Sequence, residues 1–194
     1  MRIVIDMQGL QGPSRSRGIG RYTQSLTEAI IRNGSEHDVI LALNGLFPET
    51  IEAIRSDFNE LLPQDNIRVW YAAGPVNSLN TDNDWRRQSA ELVREAFIAS
   101  LNPDVVLVTT LLDGLGSEVV TSIGTLSLTV PTAVILYDLI PLIYRDIYMA
   151  RTEVEMWYEK NLEQLRRSDK ILAISESSRQ ERMRYLGFSE EDSV

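Results

Sequence analysis

The sequence contains no cysteine and a single histidine, His37, in 194 residues. The first absence removes disulfides, thiolate nucleophiles and cysteine-based zinc sites, and it points to a reducing interior. The second removes a three-histidine metal centre. His37 itself sits between Glu36 and Asp38, where a solvated turn residue is expected rather than a base. Basic residues are also in deficit. The chain has 19 Lys and Arg against 28 Asp and Glu, a net charge of −9, opposite to the footprint of a nucleic-acid binder. Long apolar runs are missing too. Ile3, Val4 and Ile5 are stopped by Asp6, too short a stretch for a signal peptide, and the longest apolar stretch, 126–144, is broken by Pro131, Asp138 and Pro141. No nucleic-acid partner, no spanning helix and a cytoplasmic location are therefore expected.

What is present suits one domain with a real core: 43% of residues are hydrophobic and 24% charged. Short β-branched runs alternate with longer stretches of helical spacing, the pattern of a parallel sheet flanked by helices. The strands are expected at Ile3–Asp6, Val39–Leu43, Ile67–Tyr71, Val105–Thr109, Ala133–Tyr137 and Lys170–Ile174. Four apolar stripes mark the helices. Ile19, Tyr22, Leu26, Ala29 and Ile30 form the first. Trp85, Leu92, Val93, Ala96, Phe97 and Leu101 form the second, behind Asp84 as N-cap. Val154, Trp157, Tyr158, Leu162 and Leu165 form the third. The fourth opens at Ser175, turns Met183 and Leu186 inward and stops at Gly187. The polar stretch 74–84 reads as a surface loop.

In an open α/β sheet, ligands bind beyond the carboxyl ends of the strands. The residues there are polar: Asp6 to Gly9, Thr109 and Thr110, Asp113 and Gly114, Asp138, and Ser175 with Glu176. Between the first strand and first helix, Gly9, Gly12, Gly18 and Gly20 alternate with Arg15, Arg17 and Arg21, and Tyr22 follows. Glycines let backbone amides approach a ligand and a helix N-terminus favours anions, so a phosphate or sugar diphosphate fits this loop; solvated arginines on a surface loop are the alternative. Neither a P-loop nor a dinucleotide fingerprint is met, because Ile19 follows Gly18 and Thr23 stands at the third glycine position. Arg15, Arg17, Arg21, Tyr22 and Asp113 are candidate contacts for an acceptor or an anion. Asp138 follows an apolar strand and precedes Leu139–Ile143, so it either caps the turn or binds a ligand.

The segments MRIVIDMQGLQGPSRSRGIGRYTQSL, VILYDLIPLIY and ILAISESSRQERMRYLG, in this order, resemble the N-terminal half of retaining, nucleotide-sugar-dependent glycosyltransferases of the group-1, or family-four, type. The resemblance implies a three-layer, Rossmann-like α/β domain with a mostly parallel sheet. It would be one half of the two-domain GT-B arrangement, in which this half mostly holds the acceptor. It also implies that residues 1–194 form this single domain, that the donor domain lies outside the chain, and that the chain alone is inactive. Gly18 and Gly20 would lie near the donor diphosphate. Many family members read His-Asp-Leu-Ile-Pro where this chain has Tyr137-Asp138-Leu139-Ile140-Pro141. The histidine's part, facing the reacting sugar, would be kept in some other way, pass to Asp138 or be taken by the Tyr137 hydroxyl. No metal or other cofactor is implied. The implied partners are a nucleotide-sugar donor and a glycan or lipid-linked acceptor, with peripheral contact at the inner membrane face through the arginine patch. A non-catalytic carbohydrate- or nucleotide-binding module of the same fold is the rival reading.

Overall fold

The computed structural model describes residues 1–126 and 130–188. Ser127, Leu128 and Thr129 of the long apolar stretch, and the last six positions, 189–194, lie outside the described residues. In chain order the elements are β1 (Arg2–Asp6), α1 (Gln8–Gln11), α2 (Gly18–Asn33), β2 (Asp38–Asn44), α3 (Pro48–Asp57), β3 (Ile67–Trp70), α4 (Asp84–Ser100), β4 (Val105–Val108), β5 (Thr132–Leu136), α5 (Ile140–Ile143), α6 (Arg145–Tyr148), α7 (Thr152–Arg166), β6 (Lys170–Ala173) and α8 (Glu176–Leu186). The six strands pair in parallel in the order β3-β2-β1-β4-β5-β6. The chain is thus an α/β Rossmann-like domain, and the strand order reverses between β1 and β4, where such sheets open a crevice.

Strand alternation builds the layers. Val4, Ala42, Val106, Val108, Val134 and Leu136 point to one face and meet Ile98 and Leu101 around the end of α4 with Tyr158, Leu162 and Leu165 of α7. Ile5, Leu41, Leu43, Leu107 and Ile135 point to the other and meet Leu26, Ile30 and Ile31 of α2 with Ile54 and Phe58 at α3. Both faces are covered, which is why the strands read as nearly continuous apolar runs. Each fully buried Ile or Leu contributes roughly 1.5–3 kcal/mol.

All six strands and the α7 stripe lie where the periodicity places them, and the ends of α8 are as expected: the Ser175 hydroxyl accepts the Ser178 N–H, and Gly187 is left-handed at φ 73°. Two helix faces differ. On α2 the fully buried residues are Gly20, Thr23 and Thr27, and Ala29 and Tyr22 turn outward. On α4 the expected stripe is largely on the wrong side: Trp85, Leu92 and Val93 are 60%, 41% and 41% exposed, whereas Glu91, Arg94 and Glu95 are buried. The cause is the connection from β4 to β5, which has no helix among the described residues and whose polar groups need partners inside. Arg94 donates to the Ser122 carbonyl, and the Glu95 carboxylate accepts the N–H groups of Thr125 and Leu126. Gln8 anchors the same connection, bonding both the carbonyl and the N–H of Val120. Asp84 begins α4 rather than capping it; Asn83 is the cap residue, without a side-chain capping bond. Among the described residues no helix is long and apolar enough to cross a membrane.

Candidate functional site

The carboxyl ends of the central strands are closed over the β1/β4 crevice by a compact network. The Thr109 hydroxyl donates to the Asp6 carbonyl at 2.6 Å and accepts the Gly9 N–H at 3.1 Å. A Cβ on Gly9 would stand 2.6 Å from Thr23 Oγ1 and 2.9 Å from Thr109 Oγ1, so glycine lets the backbone pack closely against these two hydroxyls. Asp6 and Gln8, both nearly fully buried, bond to Arg94, to each other and to the β4–β5 connection. They are scaffold rather than rim.

Beside this network opens a cavity of about 90 Å³, walled by Ile19, Thr110, Tyr137, Asp138, Pro141 and Tyr158 among others. The Tyr137 hydroxyl donates to the Thr109 carbonyl at 3.1 Å and lies 3.4 Å from both the Ile19 carbonyl and the Thr23 hydroxyl. Its ring meets Tyr22 edge-on, with centroids 5.8 Å apart. Burial pushes the Tyr137 phenol up to about 12, so at neutral pH it is a hydrogen-bond donor and not a base. Burial and the nearby Asp138 carboxylate push the Tyr158 phenol up as well. Asp138 Oδ1 accepts the Ile140 N–H at 3.0 Å and closes its own turn. Its other oxygen has no hydrogen-bond partner among the described residues. The carboxylate therefore both caps and lines the cavity.

The glycine-arginine loop folds into the short helix α1, a 3-10 turn at Pro13–Ser16 and the first turn of α2. No side chain caps α2, and its first amides have no intrahelical acceptors. Gly18 is open, with nothing within 4 Å of an added Cβ. Gly20 is different: a Cβ there would lie 1.9 Å from the Arg15 carbonyl oxygen. Chain packing by itself therefore requires a glycine here. Arg15 is tied to Glu49 at 3.2 Å, whereas Arg17 and Arg21 are exposed and have no ionic partner among the described residues. Asp113 stands behind this loop, where a Cβ on Gly12 would lie 3.6 Å from its Oδ2. It lines a separate, smaller space with Arg87, Glu91, Trp157 and Lys160, residues that carry no mark of a site in the sequence because two helices and a loop must fold before they meet. Tyr158 likewise reads as a core residue and becomes a cavity wall.

No family model matches the chain. Curated relatives do. Serotype-specific mannosyltransferase WbdA of Escherichia coli is 33% identical over 186 residues, 95% of this chain and 22% of the relative. A second protein of that name from the same organism is 31% identical over 161 residues, 82% of this chain and 20% of its own length. The chain is thus similar to part of these glycosyltransferases. It spans about a fifth of the length of the relatives it matches. The all-parallel Rossmann-like sheet is compatible with that likeness.

Proposed function

We propose that this domain binds the acceptor in a retaining sugar transfer from a nucleotide-sugar donor to a glycan or lipid-linked acceptor, during polysaccharide assembly. The observation that carries the reading is the adjacency, at the carboxyl edge of the sheet, of the cavity walled by Tyr137 and Asp138 and the uncapped start of α2, joined through Ile19. In this reading Asp138 receives an acceptor hydroxyl on its unengaged oxygen, and Tyr137, already bonded to Thr109, positions the cavity wall rather than moving a proton. The donor diphosphate approaches Gly18, with Arg17, Arg21 and the α2 amides supplying positive potential. Gly20 serves by letting that turn pack. A second domain outside the chain supplies most of the stabilisation of the departing diphosphate, which makes the chain alone inactive. Work at the cytoplasmic face of a membrane, with the Arg17 and Arg21 rim touching anionic headgroups, belongs to the same reading.

The relatives are named mannosyltransferases, so mannose is the sugar to test. Titration calorimetry of the chain with an α-linked mannobiose should show binding that Asp138→Asn weakens at least tenfold. Binding of a nucleotide-diphosphate mannose with no binding of the disaccharide would overturn the acceptor role. Glycan binding with no transfer when a donor domain is supplied would favour the non-catalytic module.

A further inference from the structure

A second groove lies between the N-terminal halves of α4 and α7. Its outer part is a cavity of about 270 Å³ lined by Asp84, Arg87, Glu153, Trp157 and Lys160 among others. It shares Arg87, Trp157 and Lys160 with an inner space of about 10 Å³ that reaches Glu91 and Asp113, the room of a single oxygen-sized group. The charges at the groove pair with one another: Arg87 with Asp84 at 3.1 Å, and Lys160 with Glu91 at 2.6 Å. Two buried polar atoms of residues that line the inner space are left over. Asp113 Oδ1 accepts the Gly114 N–H, but Asp113 Oδ2 is buried with no hydrogen-bond partner, and so is Arg87 Nε, which stands 3.8 Å from Glu91. Buried polar atoms without partners are rare in native proteins.

The unmet needs are complementary and specific. Asp113 Oδ2 requires a donor and the Arg87 Nε–H requires an acceptor. A metal cation or ammonium group supplies no acceptor, and a phosphomonoester dianion or carboxylate supplies no donor. A hydroxyl, of water or of a sugar that displaces it, supplies both. An anion is further disfavoured by four carboxylates, Asp84, Glu91, Asp113 and Glu153, against two cations at the groove. The half-buried Trp157 adds an apolar surface of the kind on which a sugar ring can rest.

We propose that the α4/α7 groove is a second subsite for a neutral sugar of the glycan, distinct from the Tyr137/Asp138 cavity, with one sugar hydroxyl entering the inner space between Asp113 and Arg87. This rests on the acceptor-binding reading and extends it: the domain grips a chain of more than one sugar. The test is titration of the chain and of its Asp113→Asn and Trp157→Phe variants with α-linked mannose oligosaccharides of one to four residues. The Arg87 Nε–H resonance is followed by NMR. The expected result is affinity that rises with oligosaccharide length in the parent chain, a rise reduced at least tenfold in both variants, unchanged thermal midpoints, and a shift of the Arg87 resonance only with the longer sugars. A length-dependent rise that both variants retain, with a stationary Arg87 resonance, overturns the subsite and leaves the Asp138 cavity as the whole site. Absence of oligosaccharide binding in the parent chain overturns the acceptor reading and the subsite together.

Discussion

Asp6 and Arg94 form a buried ion pair in which the Nε and Nη2 of Arg94 both bond to Asp6 Oδ2, while Nη1 reaches the Ser122 carbonyl. Both side chains are 2% exposed. The pair ties the end of β1 to α4 and to the β4–β5 connection. Removing one partner leaves a charge in the interior with no countercharge. Arg94→Ala is expected to destabilise the domain by about 3–5 kcal/mol, whereas Asp6→Leu combined with Arg94→Met, which removes both charges, should cost less. Urea unfolding midpoints of the three proteins check the ordering.

The two glycines at the start of α2 separate packing from ligand approach. Gly20→Ala puts a methyl group against the Arg15 backbone and is expected to lower stability by about 1–3 kcal/mol or more, because a packed backbone cannot yield as a side-chain end can. Gly18→Ala meets open space and should leave the unfolding midpoint nearly unchanged. Differential scanning calorimetry distinguishes them. An equal loss in both variants would contradict the difference in their surroundings.

The Tyr137 phenol gives a pH signature. Its native value, about 12, lies above the ordinary 10.0, so between these limits the folded protein retains a proton that the unfolded chain releases. The sign follows: this contribution to stability is full below about pH 10 and is lost as pH rises toward 12. Thermal midpoints measured from pH 9 to 12 should fall more steeply in the parent chain than in Tyr137→Phe. Parallel curves would mean that the hydroxyl is not held as the structure places it.

Asp138→Asn tests capping against ligand binding. The amide oxygen of asparagine can still accept the Ile140 N–H, so the turn should survive and the thermal midpoint should move by less than about 0.5 kcal/mol equivalent. In a transfer-competent form carrying a donor domain, turnover should fall by about 10²-fold or more if the carboxylate orders or receives a proton from the acceptor hydroxyl. A stability loss with intact turnover would assign Asp138 to capping alone.

The sequence by itself determined the strands, the parallel α/β class and the ends of α8, because these depend on local preferences. β-branched runs too short for helices became strands, the Ser175 hydroxyl could reach only the next turn, and Gly187 could adopt a left-handed cap at no steric cost. It also placed Tyr137 and Asp138 at a strand end, where open sheets bind ligands. The tertiary structure alone decided which face of α4 is buried, since Arg94 and Glu95 turn inward to meet groups supplied by Asp6, 88 positions away, and by the β4–β5 connection. The same holds for Gly20, whose constraint comes from the Arg15 carbonyl, and for the α4/α7 groove, where Arg87, Asp113 and Trp157 converge from three separate segments. Periodicity specifies that a helix has two faces; the partners waiting in the folded interior select the one that goes inside.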